Sequence, residues 1–153
     1  MLCIQGNLAN VYHNLGQGEE ALPIYRDVYS GYLRLLGEHI MTLAAADNYA
    51  LSLLKLQRFE EAKSLLRKQL PVARRILGKD HIQTIKMTWR SAEALYEDAN
   101  ASLEDMREVA TTLEETERTA RRVLGGAHPV TKGLGGHLQN AQAAVRARES
   151  GAP

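Results

Sequence analysis

The sequence predicts an all-α protein, a solenoid of stacked helical hairpins. Three observations predict it. Aromatic residues make up only 5% of the 153 positions, while Ala, Leu, Glu and Arg are plentiful, and unbranched side chains lose little rotamer freedom on a helix. A block of sequence recurs at an offset of 41 residues, the signature of a repeat architecture. Within each block the apolar residues return at steps of three and four, as one face of a helix requires.

The recurrence is plainest at the ends of the blocks. Gly37-Glu38-His39-Ile40-Met41-Thr42 returns as Gly78-Lys79-Asp80-His81-Ile82-Gln83-Thr84 and again as Gly125-Gly126-Ala127-His128-Pro129-Val130-Thr131. Before each glycine stands a similar triplet, Arg34-Leu35-Leu36, Arg75-Ile76-Leu77 and Arg122-Val123-Leu124. Asn7-Leu8-Ala9 leads to Glu19-Glu20-Ala21 as Asn48-Tyr49-Ala50 leads to Glu60-Glu61-Ala62, and the third block is longer by residues around Glu97 to Asp105.

Each block reads as helix, turn, helix. First helices are expected near 2–15, 41–57 and 83–98, second helices near 19–36, 60–77 and 103–124. A capping helix is expected near 129–149, in spite of Gly133, Gly135 and Gly136, each of which costs a helix about 1 kcal/mol. Ala9, Ala50 and Ala92 are small mid-helix residues where a partner helix can approach. Gly16-Gln17-Gly18 and Gln57-Arg58 form the hairpin turns. Gly37, Gly78 and Gly125 are expected to close the second helices in a left-handed backbone. Pro71, mid-helix between Leu70 and Val72, predicts a kink or break near Arg67–Pro71, since it has no N–H and its ring crowds the preceding turn. Ser102 followed by Asp105 predicts a capped helix start after a longer turn over about Asp98–Ser102. The whole chain, 1–153, is read as one domain, with repeats of about 1–38, 39–79 and 80–126.

These motifs resemble a known family. Asn7-Leu8-Ala9-Asn10-Val11-Tyr12, Leu15-Gly16, Glu19-Glu20-Ala21-Leu22-Pro23-Ile24-Tyr25 and Leu36-Gly37 are similar to the tetratricopeptide repeats of kinesin light chains. His39-Ile40-Met41-Thr42 and His128-Pro129-Val130-Thr131 resemble that family's His-Pro-x-Thr junction. The resemblance implies a right-handed α-solenoid that is not an enzyme, with a concave groove that binds a peptide segment of a partner protein. Carried over by repeat position, the groove residues are Asn10, Asn14, Asn48, Leu51, Lys55, Lys86, Trp89, Arg90 and Tyr96, with His13, Asp47, Leu54 and Glu93 beside them. Many such domains hold a peptide's terminal carboxylates in a clamp of Lys, Asn and Arg. Here Asn10, Asn48, Lys86 and Arg90 match that clamp, whereas Gly6 stands in place of its first lysine. Trp89 can either line this groove or pack in the core.

Other chemistry finds little support in the residues. His39, His81 and His128 occupy equivalent places in successive repeats, so stacking separates them, whereas zinc needs its ligands within ~2 Å of one ion. No metal site is expected, and the histidines should cap or pack at helix starts. There is no G-x-S-x-G, no H-E-x-x-H and no phosphate loop, so no catalytic residues and no cofactor are expected. A formal net charge of +1 supplies no field for nucleic acid, and no apolar run suggests membrane insertion. The lone Cys3 forms no internal disulfide, so the default expectation is an intracellular protein. Ile4, Leu8 and Val11 form an apolar stripe on the first helix, whereas Gln139, Gln142, Arg146 and Arg148 make the last helix polar. The chain is therefore expected to be part of a longer array, or to self-associate or contact another subunit through its N-terminal end. An obligate structural subunit or assembly factor, contacting partners through ends and outer face, is the rival to the groove-binding adaptor.

Overall fold

The computed structural model describes residues 1–151, as seven helices in chain order. They are α1 (Leu2–Asn14), α2 (Gly18–Leu36), α3 (Ile40–Lys55), α4 (Phe59–Leu77), α5 (Ile82–Tyr96), α6 (Leu103–Leu124) and α7 (Pro129–Glu149). Neighbours in sequence pack as antiparallel hairpins, α1 on α2, α3 on α4 and α5 on α6, and α7 closes over α6. The result is an all-α solenoid.

The junctions between hairpins repeat one chemistry. Each junction histidine is the N-cap of the next helix: the Nδ1 atoms of His39, His81 and His128 accept the backbone N–H of Met41, Gln83 and Val130, each at 3.1 Å. The ring thereby satisfies one of the amides that a helix start leaves free, and the acceptor role puts the ring proton on Nε2. On the other side of each junction Gly37, Gly78 and Gly125 have φ of +61°, +82° and +89°. Their ψ values of −133°, 163° and 156° differ from the left-handed helical well expected from the sequence. They lie in the extended region with positive φ, which is essentially confined to glycine.

Two further expectations concern single residues. Ser102 and Asp105 form a reciprocal capping box, with Asp105 N–H to Ser102 Oγ at 3.0 Å and Ser102 N–H to Asp105 Oδ2 at 2.7 Å. The turn before it, residues 97–102, is the longer one predicted for the third repeat. Pro71, by contrast, does not break its helix, for α4 runs unbroken through it. A proline removes a single N–H, and Leu66, Leu70 and Ala73, all at most 8% exposed, hold the chain to the core on both sides of it.

The core is a row of small and branched residues between layers. Ala9, Ala50 and Ala92 are buried at the helix crossings, as their size suggested. Leu43, Leu53 and Leu66 join α3 to α4, while Val109, Leu113 and Leu134 join α6 to α7. Among the described residues no helix is long and apolar enough to cross a membrane.

Candidate functional site

The odd-numbered helices line the inner side of the curve. α3 packs on α5 and α5 touches α7, whereas no two even-numbered helices pack extensively on one another. A stack that is closer along one row of helices than along the other bends toward the closer row. The outer row is spread enough to leave a cavity of about 630 Å³ between α4, α5 and α6, bordered by Arg74, Thr88 and Glu115.

Three polar seams tie the inner helices together. Between α1 and α3, Lys55 Nζ lies 2.7 Å from His13 Nε2. Between α3 and α5, Asp47 Oδ2 is 3.0 Å from Lys86 Nζ and Asp47 Oδ1 is 3.9 Å from Arg90 Nε. Between α5 and α7, Trp89 Nε1–H donates to His137 Nδ1 at 2.7 Å, with the rings edge to face. The Arg90 guanidinium also stacks on the Trp89 ring at 4.7 Å and approaches Glu93 at 3.6 Å.

The seams decide the state of the expected site residues. Asn10 accepts the Tyr25 hydroxyl at 2.7 Å and is partly committed to holding α1 on α2. Asn14 is exposed at the end of α1, Asn48 and Leu51 are half-buried on α3, and Lys55 is exposed beside His13. Tyr96 is half-buried at a notch of about 40 Å³ formed with Glu93, Glu97, Leu113, His137 and Asn140. Leu54, placed beside the groove from the sequence, is 5% exposed and belongs to the core.

Lys86 and Arg90 differ most from expectation. Matched to the cationic positions of a carboxylate clamp, they converge on Asp47, whose side chain is only 2% exposed. Arg90 itself is 9% exposed. A buried carboxylate draws cations toward it because desolvation makes an unpaired charge costly. Arg90 is held inside this seam, whereas Lys86 keeps 30% of its side chain exposed. Asp47 Oδ1, Arg90 Nε and Glu93 Oε2 are buried without a hydrogen-bond partner, so this seam holds by charge more than by ideal hydrogen bonds. Trp89 packs against the core that includes Ile85, Val109 and Leu134. It is half-buried, wedged between α5 and α7.

His13 is held below its ordinary pKa, chiefly by burial and then by the Lys55 charge. The lysine can donate only to a neutral ring nitrogen. His13 Nδ1 is buried without a partner, and a small cavity of about 180 Å³ adjoins it between Gly16, Ser52 and Lys55.

Two participants escaped the sequence reading. His137 gave no signal, since it lies outside the repeat junctions. Gly133 looked like a weakness in α7, yet any Cβ there would overlap the Trp89 ring. Its glycine allows α7 to close on α5.

A family model described as tetratricopeptide repeat matches residues 4–39 and 42–83, together half of the chain. Among solved structures, the nearly identical TPR-like repeats of a kinesin light chain candidate from Podosopora anserina share the fold, with a TM-score of 0.56 at 19% identity over 97% of this chain and 96% of that one. Its Q17M variant gives a TM-score of 0.55 with the same identity and coverage. BtubC (BKLC) of P. vanneervenii gives a TM-score of 0.54 at 15% identity over 95% of this chain and 64% of that one. No curated protein matches the chain in sequence.

Proposed function

The chain belongs to the tetratricopeptide repeat family, whose repeats form protein–protein interaction modules, and we propose that it is a non-catalytic adaptor whose inner face takes up a peptide segment of a partner protein. The supporting observation is the row of accessible side chains left across α1, α3 and α5: Asn14, Asn48, Leu51, Lys55 and Tyr96. Each asparagine amide carries both donors and an acceptor, so it can pair with either side of a peptide bond. Leu51 offers apolar contact, and Tyr96 gives a rigid aromatic surface with a polar tip.

The partner segment is of mixed polarity. Asp47 and Glu93 together balance the charges of Lys86 and Arg90, which argues against a carboxylate-terminal peptide as the main ligand and for recognition of backbone and apolar side chains. The paired seam serves as a rigid floor, keeping neighbouring inner helices in one register and so reducing the ordering cost of binding.

The test is selection of binding peptides followed by a double substitution, Asn48→Ala with Leu51→Ala. Binding should weaken by about tenfold or more, equivalent to about 1.4 kcal/mol, with α3 still helical by circular dichroism. Selected peptides that bind the double variant as well as the parent would place the site elsewhere.

A further inference from the structure

We propose that the exposed face of α1 is a stacking surface for the outer helix of another hairpin of this same repeat type, followed by an acidic residue and a junction histidine. Ile4, Leu8, Val11 and Leu15 fall at helical spacing on one stripe and are 70, 45, 52 and 69% exposed. At the places equivalent to Ile4 and Val11, α3 holds Ala45 and Ser52, α5 holds Met87 and Ala94, and α7 holds Leu134 and Ala141, every one at most 6% exposed. In the later helices the cover is the preceding outer helix. Met87 and Ala94 share a core with Leu66 and Ala73 of α4, and Leu134 and Ala141 share one with Leu113 and Ala120 of α6. The same face on α1 is as apolar as those are, and nothing among the described residues covers it.

Charge supplies an independent argument. Arg75 at the end of α4 reaches Glu38 at 2.7 Å, and Arg122 at the end of α6 reaches Asp80 at 2.9 Å. Both acids immediately precede the capping histidine of the earlier junction. Each outer helix thus pairs its terminal arginine with the junction one repeat before it. Arg34 is the equivalent residue of α2, and it has no carboxylate partner among the described residues. Its partner would come from the hairpin that covers α1. A second copy of this chain supplies that poorly. Its α2, α4 and α6 are already covered by α3, α5 and α7, and Ala127 stands where the last junction would need an acid.

The experiment joins a copy of residues Ile40–Thr84 directly to Leu2, a register that sets the copy's Asp80 where Arg34 can reach it. The fused protein should melt in one transition above the parent, with amide exchange at Ile4–Val11 slowed at least tenfold, and both proteins should sediment as monomers. Asp80→Lys in the copy alone should give back part of that gain. Ile4→Lys with Val11→Lys should leave the unfused chain folded and equally stable, because both sites are exposed, but erase the gain from fusion. The proposal is overturned if the added hairpin melts separately and leaves α1 exchange unchanged. It is equally overturned if the unfused chain is a dimer with α1 already protected, and the two lysines make it a monomer.

Discussion

The seam between α1 and α3 and the seam between α3 and α5 do the same task with different physics. His13 and Lys55 meet near solvent, where a polar pair contributes little because water competes for both groups and screens them. Asp47, Lys86 and Arg90 meet beneath the surface, with Asp47 almost inaccessible. There, losing one member leaves charge stranded in a medium that solvates it badly. The difference teaches that inner helices of one array can be joined by contacts of similar length but very different leverage, and that burial sets the leverage.

The sharpest break of that comparison is Asp47→Ala. It should lower unfolding free energy by about 3–5 kcal/mol, the cost of leaving buried charge uncompensated, whereas Lys55→Ala should cost under about 1 kcal/mol. Urea denaturation of the two variants side by side measures both. Equal losses would mean that burial is not what distinguishes the seams.

The third seam is tested by Gly133→Ala. Its new methyl meets the Trp89 ring, and overpacking of this kind costs about 1–3 kcal/mol. Trp89 is the only tryptophan, so its fluorescence should shift as α7 is pushed from α5. An unchanged spectrum and melt would show that the ring moves aside freely.

The hairpin turns offer a smaller contrast. Gly16 in the first turn and Gln57 in the second occupy equivalent positions, with φ of +77° and +59°. Glycine enters that region without strain, and glutamine does not. Gln57→Gly should therefore raise stability by a few tenths to about 1 kcal/mol, read as a higher denaturation midpoint. A lower midpoint would mean that the Gln57 side chain contributes more than its backbone costs.

The smallest effect is a pH dependence at the first seam. Burial and Lys55 lower the His13 pKa in the folded chain relative to its ordinary value of 6.5. The unfolded chain then binds the proton more readily, so the stabilisation is complete above that value and is lost as pH falls through the folded pKa. His13→Gln should flatten the stability profile below about pH 6.5. An unaltered acid limb in that variant would assign the dependence to other groups.

Much of this molecule was legible in its residues. The recurrence of junctions running from a glycine to a histidine two or three residues on, with the steps of three and four, located all seven helices, because periodicity and caps are local properties of the chain. Ser102 and Asp105 were readable as a cap for the same reason. Pro71 does not bring the break that its local rule allowed, because that rule ignores the packing of Leu66, Leu70 and Ala73 around it. The pairing of Asp47 with Lys86 and Arg90 spans two repeats, and nothing in the spacing of any one helix signals it.

The sequence by itself determined the helices, the turns, the order of the hairpins and the family, since each rests on interactions between residues close along the chain. Only the tertiary structure decided which charges are free. Lys86, Arg90 and Trp89 carry the residue types of a binding groove, yet stacking turns each toward a neighbouring helix: to Asp47 for the two cations, to His137 for the indole. Whether a side chain serves a ligand or the fold depends on how much water the packed neighbours leave around it, and that is a property of the assembled layers.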